Sequence, residues 1–221
     1  LGREYALNNR EKMLKMYDFI EFAFFNIVAF IYSVTMIMIV PFVSVYTRNA
    51  DINYIYPIFA VIFVYTSAFY ILKIPSNALI NISGHFKETR WRAILEAALT
   101  LGLSIILTKL LGINGVVLGT GIALAWRCLD TIVYSNKNIL LCKNKKSLLR
   151  LIRVLVILSI TAFFSLKMPI NITNFFAWIK YAIITSIVII IILIINVLMF
   201  DLQTLKNLKK VIKRKKSKDN T

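Results

Sequence analysis

Residues 22–47 read FAFFNIVAFIYSVTMIMIVPFVSVYT, a run without a single charge. As a helix rising about 1.5 Å per residue it would cover roughly 39 Å, more than the roughly 30 Å of hydrocarbon in a bilayer. Two further stretches, 52–72 and 181–200, are uncharged as well. A soluble core has no use for apolar runs of this length, and 59% of the 221 residues are apolar. The chain therefore reads as an all-α integral membrane protein.

Working outward from these runs, six spans fit: 18–45, 56–80, 91–110, 113–134, 150–168 and 176–200. The uncharged cores of the third and fifth are short, 97–108 and 154–166. Arg92, Lys109, Arg153 and Lys167 extend them by reaching the interface. A re-entrant pair is the alternative for spans three and four. The organisation expected is a linker over 1–17, a six-helix transmembrane lobe over 18–200 and a basic tail over 201–221.

The formal charge of +17 would suggest nucleic acid in a soluble protein. Here its distribution gives a better reason. Twenty-one Lys and Arg fall on one side of the six spans, in the linker, the loops after spans two and four, and the tail; four fall on the other. By the positive-inside rule both ends are cytoplasmic, and no nucleic-acid partner is expected. Membrane lipid is the expected surrounding. The tail carries Leu202, Leu205, Leu208 and Ile212 at helical spacing among lysines, which predicts an amphipathic helix on the anionic inner leaflet. Tyr54, Tyr56, Trp178 and Tyr181 suit an aromatic belt at the opposite interface.

Cys128 and Cys142 lie at or beside a basic loop, where a reducing compartment disfavours a disulfide, and His85 has no cysteine at metal-site spacing. No metal or other cofactor is expected; coupling to a proton or sodium gradient stays open. The chain begins at Leu1, and its first residues lack the pattern of a signal peptide, so it reads as the later part of a longer chain.

Polar residues inside the spans are the functional candidates. Thr66, Tyr70, Lys73, Asn77 and Asn81 share one face of span two, and Pro75 should kink it. Lys73 either lines a pathway or extends to the headgroups. In span three Arg92, Glu96, Thr100, Ser104 and Thr108 repeat every four residues; Arg92 and Glu96 are placed to pair. That stripe reads either as packing against span four or as a hydrated surface. Gly115 and Gly119 offer a small-xxx-small face, with Gly121 as a further notch. Arg127 and Asp130 should pair across three residues. Span one carries Glu21, with Pro41 as an expected kink. Spans five and six look featureless and lipid-facing. No nucleophile with a partner base and no phosphate-cradling glycine loop is visible, so an enzyme is not expected.

Three stretches, PFVSVYTRNADINYIYP, NALINISGHFKETRWRAILEA and LGINGVVLGTGIALAWRCLDTIVYSNK, resemble the C-terminal half of bacterial polysaccharide transporters. These are the lipid-linked oligosaccharide flippases of the multidrug/oligosaccharidyl-lipid/polysaccharide exporter superfamily. The resemblance covers about residues 18–143. It implies one lobe of a two-lobe exporter in the bacterial cell membrane. The partners implied are a polyprenyl-pyrophosphate-linked glycan and an N-terminal lobe absent from this chain. It further implies a central cavity walled by spans one and two, with Lys73, Asn77, Asn81 and Tyr70 on its wall, and Arg48 and Arg127 near its two mouths. Glu21 and Glu96 would be ion-coupling or structural. Gly84 would end span two and Thr89 would cap span three. A drug or cation antiporter of the same superfamily and a membrane-embedded polysaccharide polymerase are the alternatives.

Overall fold

The computed structural model describes residues 1–7, 9–48, 54–167, 172, 174–202 and 204. Six of its helical stretches are long and apolar enough to cross a membrane. The chain is an all-α, six-helix membrane bundle.

The first helices already depart from the expected linker. After a short α1 (Gly2–Ala6), α2 runs unbroken from Arg10 to Tyr46. Asn9 starts it by accepting a hydrogen bond from the Lys12 amide at 3.3 Å. Met13 and Tyr17 are buried against Leu79, Ile80, Tyr134 and Ile139. The expected tether thus folds into the basic end of the bundle, because its few apolar residues recur on one helical face. Pro41 lies inside α2 without interrupting it.

The second span does break, as the proline predicts. α3 (Pro57–Leu72) stops, Lys73 forms the joint, and α4 (Ile74–Ile82) restarts. Pro75 has no N–H to give and its ring would meet the carbonyl four residues back, so the break falls just before it. Gly84, at φ +76°, ends α4. The His85 amide donates to the Ile80 carbonyl at 3.2 Å and the Gly84 amide to that of Asn81 at 3.2 Å, the paired bonds of a Schellman ending. The next helix, α5 (Phe86–Leu111), begins behind His85. Thr89 is therefore not its cap: it sits within the first turn and donates to the His85 carbonyl at 2.8 Å.

α5 and α6 (Ile113–Tyr134) form a full antiparallel hairpin joined at Gly112, whose φ of +60° and ψ of −137° suit glycine alone. A Cβ on Gly115 would stand 2.0 Å from the Leu107 carbonyl oxygen, and one on Gly119 2.5 Å from the Ser104 amide nitrogen. The small-residue face is what lets the two backbones touch. α6 runs on into a π turn (Ser135–Ile139), followed by α7 (Lys145–Lys167) and α8 (Phe175–Phe200). α5 packs on α6, α6 on α3, α3 on α2, and α2 on both α7 and α8. α5 buries only Thr89; its outward leucines and isoleucines suit hydrocarbon rather than water.

At the end opposite the basic one, Trp178 donates to the Met38 carbonyl at 3.1 Å and packs at a tilt against the rings of Phe42 and Phe175. Tyr54 and Tyr56 stand exposed there, in keeping with an interfacial belt. The amphipathic segment expected in the tail lies, beyond Leu202, outside the described residues.

Candidate functional site

The helix break places a lysine at membrane depth. Lys73 lies sixteen residues past the start of α3 and nine before the end of α4, so roughly 24 Å of helix separates it from one end of the span and about 13 Å from the other. It is only 8% exposed. Its ammonium pairs with Glu96 of α5 and lies 5.2 Å above the Tyr70 ring. Isolated there, a cation would be costly; the carboxylate is what makes the position tenable.

Glu96 is shared. Its second oxygen lies 3.2 Å from Nε of Arg127 on α6, although that N–H is not aligned for a hydrogen bond and has no other acceptor among the described residues. Arg127 reaches Asp130 at 2.9 Å, the pair expected from their spacing. Asp130 in turn holds Arg92, whose guanidinium lies 5.0 Å above the Tyr134 ring. The result is a ladder, Lys73–Glu96–Arg127–Asp130–Arg92, drawn from the α3–α4 joint, α5 and α6.

This corrects the expected pairing within α5. Arg92 and Glu96 face each other at helical spacing but are not joined. Each is taken by a partner on another helix, since burying both carboxylates requires more donors than α5 alone supplies.

The polar face of span two is divided by the same geometry. Thr66 is buried and donates to the carbonyls of Ile62 and Val117, fastening α3 to α6. Tyr70 is about half exposed, Asn77 is half-buried and Asn81 is exposed. Lys73 and Thr66 therefore turn toward α5 and α6, whereas Tyr70, Asn77 and Asn81 look outward. Arg48 sits exposed in the turn after α2, at the end where α3 begins, so the fold does not bring it to Lys73. In α5, Ser104 donates to the Val116 carbonyl and lies 3.3 Å from Thr120. At this point the stripe serves packing onto α6.

A second cluster went unrecognised in the sequence. Arg150, on α7, is 3% exposed at its side chain and contacts Asp18 at 2.8 Å, Glu21 at 3.0 Å and Asp201 at 3.0 Å. Arg153 reaches Asp201 at 2.6 Å and Lys146 reaches Asp18 at 2.7 Å. The Ser147 hydroxyl donates to Glu21 at 3.0 Å and itself accepts from the Asn136 amide. The other Glu21 oxygen is buried with no hydrogen-bond partner among the described residues. Burial pushes the Asp201 carboxyl up, but Arg150 and Arg153 outweigh it and hold the group below its ordinary value. α7 is thus no featureless lipid-facing span. The signal lay in the scarcity of acid: with ten Asp and Glu against twenty-seven Lys and Arg, a carboxylate at a span end has many cations to pair with.

Cys128 is buried in the central core and Cys142 is exposed; both are free thiols. Comparison of the chain with protein-family models, with curated proteins and with solved structures finds no match.

Proposed function

We propose that this chain is one lobe of a flippase that moves polyprenyl-pyrophosphate-linked oligosaccharide repeat units across the bacterial cell membrane for surface-polysaccharide synthesis. In this reading both ends are cytoplasmic and a second lobe completes the pathway. The observation that carries it is the charge ladder at the helix break. Three cations, Lys73, Arg92 and Arg127, share two carboxylates, Glu96 and Asp130. The surplus positive charge belongs to the ladder as a whole, with Lys73 and Arg127 at membrane depth and Arg92 nearer the interface, and an anion or a conformational exchange would compensate it.

A pyrophosphate supplies such an anion. Lys73 offers that anion a point charge. When the cargo arrives, Lys73 exchanges Glu96 for phosphate oxygen, while Arg127 retains both carboxylates in place. Tyr70, Asn77 and Asn81 face outward beside it and offer hydrogen bonds to sugar hydroxyls. The prenyl tail remains in lipid, and no bond is made or broken.

The deciding experiment is export of surface polysaccharide by cells carrying Lys73→Ala in the complete transporter. Loss of export with normal protein level supports the reading; undiminished export removes Lys73 from the mechanism. One observation favours a second reading, a proton- or sodium-coupled drug antiporter: the buried, unpartnered oxygen of Glu21. Ion-driven dye efflux that vanishes in Glu21→Gln would select it.

A further inference from the structure

Between α2 and α8 runs an apolar groove of about 470 Å³, lined by Phe22, Ile27 and Phe30 on one wall and Ile190, Ile194 and Val197 on the other. Its walls follow two stripes at helical spacing, and each stripe ends in a carboxylate. On α2 the series is Asp18, Phe22, Asn26, Phe30; on α8 it is Ile190, Ile194, Val197, Asp201. Those two carboxylates are the ones that hold Lys146, Arg150 and Arg153. A small recess containing Arg150, Arg153, Asn196 and Asp201 opens beside the groove, and Asn26 and Leu193 line both. The cluster is internally balanced, so positive charge beyond it decides what the head end attracts. Lys143 and Lys145, exposed just ahead of Lys146 in the chain, supply it.

We propose that this groove is a binding site for one anionic membrane phospholipid. An acyl chain lies along Phe22, Ile27, Phe30 and Ile194, and the phosphate sits beside Lys146 and Arg153. A greasy channel whose head end meets a balanced cluster, with the exposed Lys143 and Lys145 adding net positive charge beside Lys146, matches an amphiphile with a negative head, and a bilayer presents that molecule at this depth. The lipid would tie α8 to α2, the helix α8 packs against most extensively among the described residues. The site is separate from the ladder at Lys73 and does not depend on what the ladder binds.

The test uses the full chain in nanodiscs of phosphatidylglycerol and phosphatidylcholine, stripped with mild detergent and weighed by native mass spectrometry. The wild type should retain one lipid and prefer phosphatidylglycerol. Ile194→Trp should fill the groove and abolish retention, whereas Ile106→Trp, exposed on α5, should change nothing. Lys146→Gln and Arg153→Gln should each keep a lipid but reduce the headgroup preference about fivefold. Equal retention of the two lipids, retention by Ile194→Trp, or displacement of phosphatidylglycerol by an equimolar polyprenyl phosphate would each overturn the proposal. The last outcome would assign the groove to the tail of a cargo instead.

Discussion

Two charge clusters occupy this bundle, and they differ in arithmetic and in place. Around Arg150, three cations meet three carboxylates where α2, α7 and the end of α8 converge. Around Glu96, three cations meet two carboxylates beside an interrupted helix. A balanced cluster between continuous helices has no reason to rearrange. An unbalanced one at a joint has both a cause and a means, since one member can leave without stranding a carboxylate. Under the function proposed above, the first cluster fastens and the second exchanges partners.

The most severe way to break this comparison is Arg150→Met. It strips Glu21 of the only cation it has among the described residues, and Asp201 of half of its support, at a cost of about 3–5 kcal/mol. Thermal unfolding in nanodiscs should record a large drop; a shift no greater than that of Lys73→Met would abolish the distinction. Next comes Gly119→Val, which forces a side chain into the α5 backbone at Ser104. We expect a loss of about 1–3 kcal/mol, read by the same melting measurement. A cysteine pair across the hairpin should cross-link more slowly in this variant.

Lys73→Met should cost little stability, about 1 kcal/mol, because Glu96 keeps Arg127. A double-mutant cycle with Glu96→Gln should return a coupling of similar size; a coupling near zero would mean that the pair does not persist in the membrane. The smallest effect is a pH dependence. Asp201 has a depressed folded pKa, so its contribution is complete above the ordinary carboxylate value, near 4. It is lost as pH falls through the lower folded value. Melting temperature should therefore decline at the acid end in the wild type and decline less in Asp201→Asn.

Much of the architecture was legible in the residues. Three long uncharged runs place the first, second and sixth spans, and shorter apolar stretches bounded by charges mark the other three. Gly115 and Gly119 identify the α5–α6 contact, and Arg127 with Asp130 needs only one turn of helix to meet. What could not be read were pairings between helices. Arg92 and Glu96 satisfy a local rule, yet their partners are chosen by how α6 lies on α5. Lys73 sits on an ordinary stripe in sequence, but the break before Pro75 turns it toward Glu96. The Arg150 cluster stayed hidden because basic residues at span ends already had a sufficient explanation in topology. The linker was misjudged for a related reason: its charges concealed Met13 and Tyr17, one turn apart on a single face.

The grip of Tyr17 on Ser76, at 2.9 Å, joins the opening turns of α2 to the segment just past the joint. Above that joint, α3 is fastened to α6 through Thr66; below it, α4 is held by α2 and the π turn. Both halves of the interrupted span touch α2, but the main hold shifts at the hinge, from α6 above it to the π turn below. A displacement of the opening turns of α2 would therefore be felt first by α4, the half-span that begins one residue past Lys73.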